Sequence, residues 1–431
     1  MMEGREVWIT GAGMLSPLGA GVDANWEGLR SGRRGVVRQP QQNAAPFPDN
    51  FLYFGTVAGH EEPPEVPPNL NSQRKFLNRS SILGLHAAAE AIESAGVDLL
   101  SMPPERKSLY VGSGDYTRLE YLDFYQSFAE TAGPYWGLPD PEELNEVALH
   151  QVNPFYLLEG LANNLFSFLT ASYEIMGTNG SIASLSSCGA QALEGCDRAL
   201  RWGKADLGLV VGCGCWISAL IRFELDGLGI LSRAHDGVDS FRPLDRRRDG
   251  FFPSEGAAAL VLEVAEVAEA RGAKPIGRIL GTGNFQEVSS GAHISVPGDS
   301  VSRASRAAMG EGDKSPTELS FVLPHGSGTK KGDRAEMRAL KEFLSGSEVP
   351  LAAWKPHTGH MGSASDVGEM ILGLKALREG ALPPTLGFET AEKEFDNLDI
   401  AAEERVIEGD SFLSLSHGLG GQSSATLLSA P

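Results

Sequence analysis

Residues 181–185 read as an apolar strand, residues 187–202 as a helix with Leu193, Cys196 and Leu200 at inward spacing, and residues 207–212 as a wholly apolar strand. Strand, helix, strand in that order calls for a crossover, and a strand with no polar side must be covered on both faces. An α/β architecture with a parallel sheet buried between helices is therefore expected. A second series repeats the plan. Residues 322–325 end a strand, 351–354 read as a strand, 363–377 as a helix carrying Met370, Ile371, Leu374 and Leu377, and 412–415 lead into the turn Gly418-Leu419-Gly420-Gly421. The repetition predicts duplicated αβα halves, residues 1–265 and 266–431, meeting along a pseudo-twofold axis that brings the ends of equivalent elements together.

A chain of 431 residues, 42% hydrophobic and 21% charged, has enough apolar material for a large buried core. Its formal charge of −20 argues against a nucleic-acid partner, which needs clustered Lys and Arg. The four cysteines, Cys188, Cys196, Cys213 and Cys215, crowd into one window without the spacing of a zinc site or a secreted disulfide framework, so no metal is expected and a reducing, cytoplasmic setting is. Residues 1–8 lack the regions of a signal peptide, and the uncharged run 207–221 is too short for a membrane span.

Residues 6–13 form a strand running into Gly11-Ala12-Gly13, but the glycine spacing stops short of a dinucleotide fingerprint, and no ribose-binding acid follows. Residues 38–72, rich in Pro, Asn and Gln, read as an excursion over the surface. Residues 80–95 return to a helix with Ile82, Leu83, Leu85, Ala88, Ala89 and Ile92 on its apolar side. Around residues 116–160, aromatics from Tyr116 to Tyr156 stand among prolines and acids, as in an insertion covering a pocket or a partner subunit, or a locally packed surface loop.

Three segments carry the chemistry: residues 181–191 with Ser186 and Cys188, Leu323-Pro324-His325-Gly326-Ser327-Gly328-Thr329, and Lys355-Pro356-His357-Thr358-Gly359-His360. Together with Phe241-Arg242-Pro243-Leu244-Asp245, Asn153-Pro154-Phe155 and the C-terminal glycine turn, they resemble the β-ketoacyl-acyl-carrier-protein synthases over nearly the whole chain. The resemblance implies a thiolase fold of five αβαβα layers, a dimer, and substrates carried on the phosphopantetheine arm of an acyl carrier protein, with no other cofactor. It places the family's two catalytic histidines on His325 and His360, their supporting lysine on Lys355, and the tunnel-lining threonines on Ser327 and Thr329.

The departures fall on the same pocket. Ser186 stands where the family has its nucleophilic cysteine, Leu415 and His417 where it has asparagine and phenylalanine, Leu419 at a gating phenylalanine, and Ser254 and Asp366 at usual glycines. His417 and Leu419 are thereby candidate substrate-binding residues. A thiol with reference pKa about 8.5 becomes a thiolate with help from helix N–H groups, whereas a serine hydroxyl needs an adjacent base, here His325 or His360. An oxygen ester is also a poorer acceptor for a carbanion than a thioester, so condensation is expected to be slow. Decarboxylation draws on the histidines and on stabilisation of the enolate, and can survive the serine. Cys188 is a less suitable nucleophile, because its place in the helix turns it away from the position of Ser186.

Arg74 and Lys75 match a basic stretch that related enzymes use to dock the acidic carrier, and Arg246-Arg247-Arg248 is a second cationic run, with Arg248 and Asp249 expected to pair inside the fold. Two functions stay open. One is an acyl-transferring or malonyl-decarboxylating protein of a type II fatty-acid or polyketide pathway. The other is a non-condensing partner, similar to a chain-length factor, in a heterodimer with a cysteine-containing paralogue; a homodimer is equally open.

Overall fold

The computed structural model describes residues 4–40, 47–114, 122–135, 137–152, 154–155, 158, 161, 163–185, 187–288 and 298–431. Its main sheet is built from β1 (Val7–Ser16), β2 (Lys107–Gly114), β3 (Asn179–Ala183), β4 (Leu207–Cys215), β5 (Glu255–Val264), β6 (Gly277–Gln286), β7 (Phe321–Leu323), β8 (Ser411–His417) and β9 (Gln422–Ser429), in the spatial order β7-β8-β9-β6-β1-β5-β4-β2-β3. The two halves join where β1 pairs with β6 through Trp8↔Arg278 and Ile9↔Gly277.

The expected parallel pairing holds for β2 with β3 and with β4, and for β7 with β8. The sheet as a whole is mixed, because β1, β5, β6 and β9 make antiparallel contacts that the strand-helix-strand pattern did not reveal. Residues 351–354 do not form the expected strand: Leu351 makes only isolated bridges to Val322 and Ile400, and the chain turns at once into a short helix. Strand β3 lies at the sheet edge and is only partly buried, whereas β4 is buried along almost its whole length.

Helices complete five layers. On the outside, α1 (Arg79–Ala95) covers β1, β4 and β5, while α3 (Asp299–Glu311), backed by α4 (Lys330–Phe343), covers β6 and β9. Between the two halves of the sheet lie α2 (Cys188–Arg201) and, after the short α5 (Lys355–Thr358), α6 (Ser363–Glu379). The apolar clusters follow these layers. Leu193, Cys196 and Leu200 of α2 meet Val367, Met370 and Ile371 of α6 in the centre, Leu83, Ala87 and Ala91 of α1 pack on Leu209 and Val211, and Ala304 and Ala308 of α3 pack near Leu427.

The duplication is visible in two Gly-x-Gly pairs. A Cβ on Gly11 or Gly13 would lie 2.2 Å from the carbonyl of Ala91 or Ala87, and a Cβ on Gly281 or Gly283 would lie 2.2 Å from that of Ala308 or Ala304. In each half the glycines let the outer helix settle directly on the strand, which is the role of the sequence that superficially resembled a nucleotide motif. Almost every side chain from residue 363 to residue 374 is buried, as expected of a helix enclosed on all sides, so the acids Asp366 and Glu369 within it stand out.

Candidate functional site

Elements of both halves converge on one cleft, lined by Ser184, Leu185 and Ser187 before α2, by His325 and His360, and by Asp366, Ser416 and His417. Ser186 lies outside the described residues, although both its chain neighbours line the cleft. Tyr116, Tyr121, Trp136, Asn153 and Tyr156 are outside them as well.

The three histidines come together from separate segments, after β7, after α5 and at the end of β8. The His325 ring centroid is 4.4 Å from that of His417 and 5.3 Å from that of His360, and all three residues are buried. His360 stacks on Trp216 at 4.8 Å and meets Phe251 at 4.7 Å. The Gly362 N–H donates to His360 Nδ1 at 3.2 Å, which assigns the ring proton to Nε2. Burial first, and the nearby Lys355 ammonium second, hold both His325 and His360 well below the usual histidine range. Near neutral pH both are uncharged imidazoles, able to donate a hydrogen bond while carrying no positive charge.

Lys355 is fully buried; its Nζ donates to the His325 carbonyl at 2.6 Å and to the two Glu369 oxygens at 3.0 and 2.8 Å. Burial pushes the Glu369 carboxyl up to about 7, against the pull of the lysine. Glu336 takes the backbone N–H groups of His325 and Gly326 at 2.7 and 2.9 Å and lies 3.5 Å from His417 Nε2. Burial raises this carboxyl, but His417 and the two backbone donors outweigh it and hold Glu336 below the usual range. The loop bearing His325 is thus tied down by a buried lysine and a buried glutamate.

Ser327 and Thr329 bond to each other at 3.0 Å, and Ser327 Oγ donates to Asp333 at 3.2 Å. Both hydroxyls border Gly332, where His417 also approaches, but of these three candidates only His417 lines the cleft. Leu419 sits half-buried in the turn after β8 and does not line the cleft itself. Cys188 opens α2 and donates from Sγ to the Ser184 carbonyl at 3.1 Å, fully buried.

Arg74 and Lys75 lie on a 3-10 segment, Pro68–Phe76; Arg74 pairs with the exposed Glu62 at 3.1 Å, and Lys75 sits 4.3 Å from the centroid of Phe155. The Arg246–Arg248 run is mostly engaged within the fold. Arg247 bonds Asp245 and Glu389, and Arg248 bonds Glu392 at 2.7 Å. The expected Arg248–Asp249 pair does not form, because Asp249 accepts from Ser232 at 2.6 Å instead.

Glu336, Glu369, Trp216 and Ser416 escaped the sequence reading. Glu336 left a usable signal, because it falls in phase with the apolar stripe of its helix one turn before Leu340, whereas the helix of Glu369 is buried all round and has no stripe to mark it. Trp216 left none, since only the sheet brings its ring onto His360.

The chain is similar to known proteins over nearly its whole length. The family model for the β-ketoacyl synthase N-terminal domain matches residues 4–268, and that for the C-terminal domain matches residues 276–389. A polyketide β-ketoacyl synthase 1 of Streptomyces cyaneus is 30% identical, covering 99% of this chain and 98% of its own length. The 3-oxoacyl-(acyl-carrier-protein) synthase 2 of Coxiella burnetii is 25% identical, with 99% of each chain covered. Among solved structures, the ishigamide ketosynthase/chain length factor superposes with a TM-score of 0.81 at 24% identity, and a type II PKS ketosynthase in complex with its acyl-carrier protein with 0.80 at 22%. Each covers 99% of this chain and all of the matched one, so the five layers are those of the thiolase fold. Two family models in sequence over that fold, and a relative sharing nearly its full length, establish that the chain belongs to the β-ketoacyl synthase family.

Proposed function

We propose that this protein acts on malonyl or acyl groups carried by an acyl carrier protein in a type II fatty-acid or polyketide pathway, with decarboxylation favoured over condensation. The observation that carries the reading is the pair of neutral, buried histidines on the cleft, His325 held by Lys355 and Glu336 and His360 stacked on Trp216. The relatives named for polyketide and for 3-oxoacyl-carrier-protein synthesis support the pathway class.

In the proposed step, the malonyl carboxylate leaves as carbon dioxide and its C–C bonding pair moves into the thioester as an enolate. Donors such as His360 Nε2–H hold the oxygen where charge develops, and a proton from water completes an acetyl group on the carrier. Neutral imidazoles suit this, because burial has already removed the competing water. Ser186 is the candidate acyl acceptor, and the slow formation and low reactivity of its oxygen ester disfavour condensation.

The test is turnover of malonyl-carrier protein by the native chain and by His360→Ala. Acetyl-carrier should form, about a hundredfold more slowly in the variant. Equal rates in the two proteins would remove His360 from the reaction and overturn the proposed step. The altered nucleophile position favours a second reading, a non-condensing partner subunit similar to a chain-length factor. That reading predicts no turnover alone and a stable complex with a cysteine-containing paralogue on co-expression.

A further inference from the structure

The N-terminus of α2 is capped from the opposite half of the molecule. Ser187 occupies the N-cap position, but its side chain makes no capping bond; its hydroxyl accepts from Ser424 Oγ at 3.0 Å and Gln191 Nε2 at 3.2 Å. The N–H groups that an N-cap side chain normally takes are those of the second and third helical residues. Here the Gly189 N–H donates to Asp366 Oδ2 at 3.1 Å, and the Ala190 N–H is a further donor to the same carboxylate. The other oxygen, Oδ1, accepts from Ser416 Oγ at 2.6 Å. The approach is close, since a Cβ on Gly189 would stand 3.0 Å from that of Asp366.

Asp366 accepts on both oxygens, an arrangement suited to an ionised carboxylate. Burial leaves its pKa raised overall, while Ser416, the Lys355 ammonium and the backbone donors offset part of that rise. The free N–H groups and positive dipole end of a helix are what a nucleophile two residues upstream would draw on to become an anion. In this chain another anion already holds them.

We infer that Asp366 is a positioning residue, an internal anion that occupies the N-terminus of α2 and withholds from position 186 the support an anionic nucleophile needs. The inference deepens the proposed preference for decarboxylation and rests on that reading. It extends it in one respect: the serine is not the sole block, so restoring a cysteine alone will not restore a reactive thiol.

The test is the pH profile of iodoacetamide alkylation at position 186, resolved from the native cysteines by peptide mass spectrometry. It needs no carrier or substrate, so its outcome is separable from that of the functional reading. In Ser186→Cys the introduced thiol should alkylate only near its ordinary titration range. Adding Asp366→Asn should speed alkylation at pH 7 about tenfold or more and move the profile down, while adding Asp366→Glu should leave it slow. The other titratable groups facing or supporting the cleft, His325, His360, His417, Lys355, Glu336 and Glu369, are common to every chain compared. Asp366→Ala supplies the same readout should the asparagine variant not fold. A thiol in Ser186→Cys that already alkylates as fast as in the double variants would overturn the inference.

Discussion

Burial sets the protonation of this site more than any single partner does. His357, on the short helix between Lys355 and His360, is a useful gauge because it lies in the same segment but does not line the cleft. Desolvation lowers it to about 4, although the Arg33 and Pro384 carbonyls face its ring nitrogens at 3.2 and 3.4 Å. Its folded pKa lies below the unfolded value near 6.5, so the unfolded chain binds more protons as the pH drops. The stability this residue contributes is present above about 6.5 and is lost toward 4. Urea unfolding at pH 7.5 and pH 5 should therefore show His357→Asn losing about 2 kcal/mol less, relative to the native chain, at the lower pH. A second residue-scale outcome concerns Lys355, bonded to Glu369 at 2.8 Å with no exposure. Lys355→Met leaves a buried acid unpaired and should cost about 3–5 kcal/mol in the same assay, while Lys355→Met with Glu369→Leu should recover much of it.

At the scale of elements, the glycine pairs in β1 and β6 show what the sequence disclosed and what it hid. The apolar run of β4, the helix α2 and the helix α6 were legible because their burial imposes a period or a continuous apolar stretch. The antiparallel partners of β5 and β6 were not, since pairing direction depends on where the chain returns, which no local pattern records. Residues 351–354 misled for the opposite reason: the stretch is apolar because it is buried, yet it makes only isolated bridges at Leu351. In the site, His325, His360 and Lys355 could be placed from motifs, whereas Trp216 and Ser416 reach the cleft only through tertiary packing. The close seating of helix on strand carries its own outcome. Gly283→Ala would put a methyl 2.2 Å from the Ala304 carbonyl and should destabilise by about 1–3 kcal/mol in thermal unfolding, whereas Gly310→Ala, with open space around it within α3, should be neutral or slightly stabilising.

Across the whole molecule, the cleft exists only because two similar halves share a central layer. Leu185 and Ser187, just before α2, come from one half, the segments after β7 and α5 bring His325 and His360 from the other, and α6 packs against α2 and adds Asp366. Where the halves meet, the carboxylate of Asp366 from one half caps the helix α2 of the other, and the sequence carries a hydroxyl residue at position 186. That combination underlies the proposed decarboxylation without condensation. Its most direct test incubates the native protein with acyl-carrier and malonyl-carrier protein together and resolves both the carriers and the chain itself by intact mass spectrometry. Acetyl-carrier should accumulate while β-ketoacyl-carrier does not. A β-ketoacyl-carrier product, formed through an acyl adduct on the chain that disappears in Ser186→Ala, would contradict it, and so would complete inactivity, which would leave the partner-subunit reading in its place.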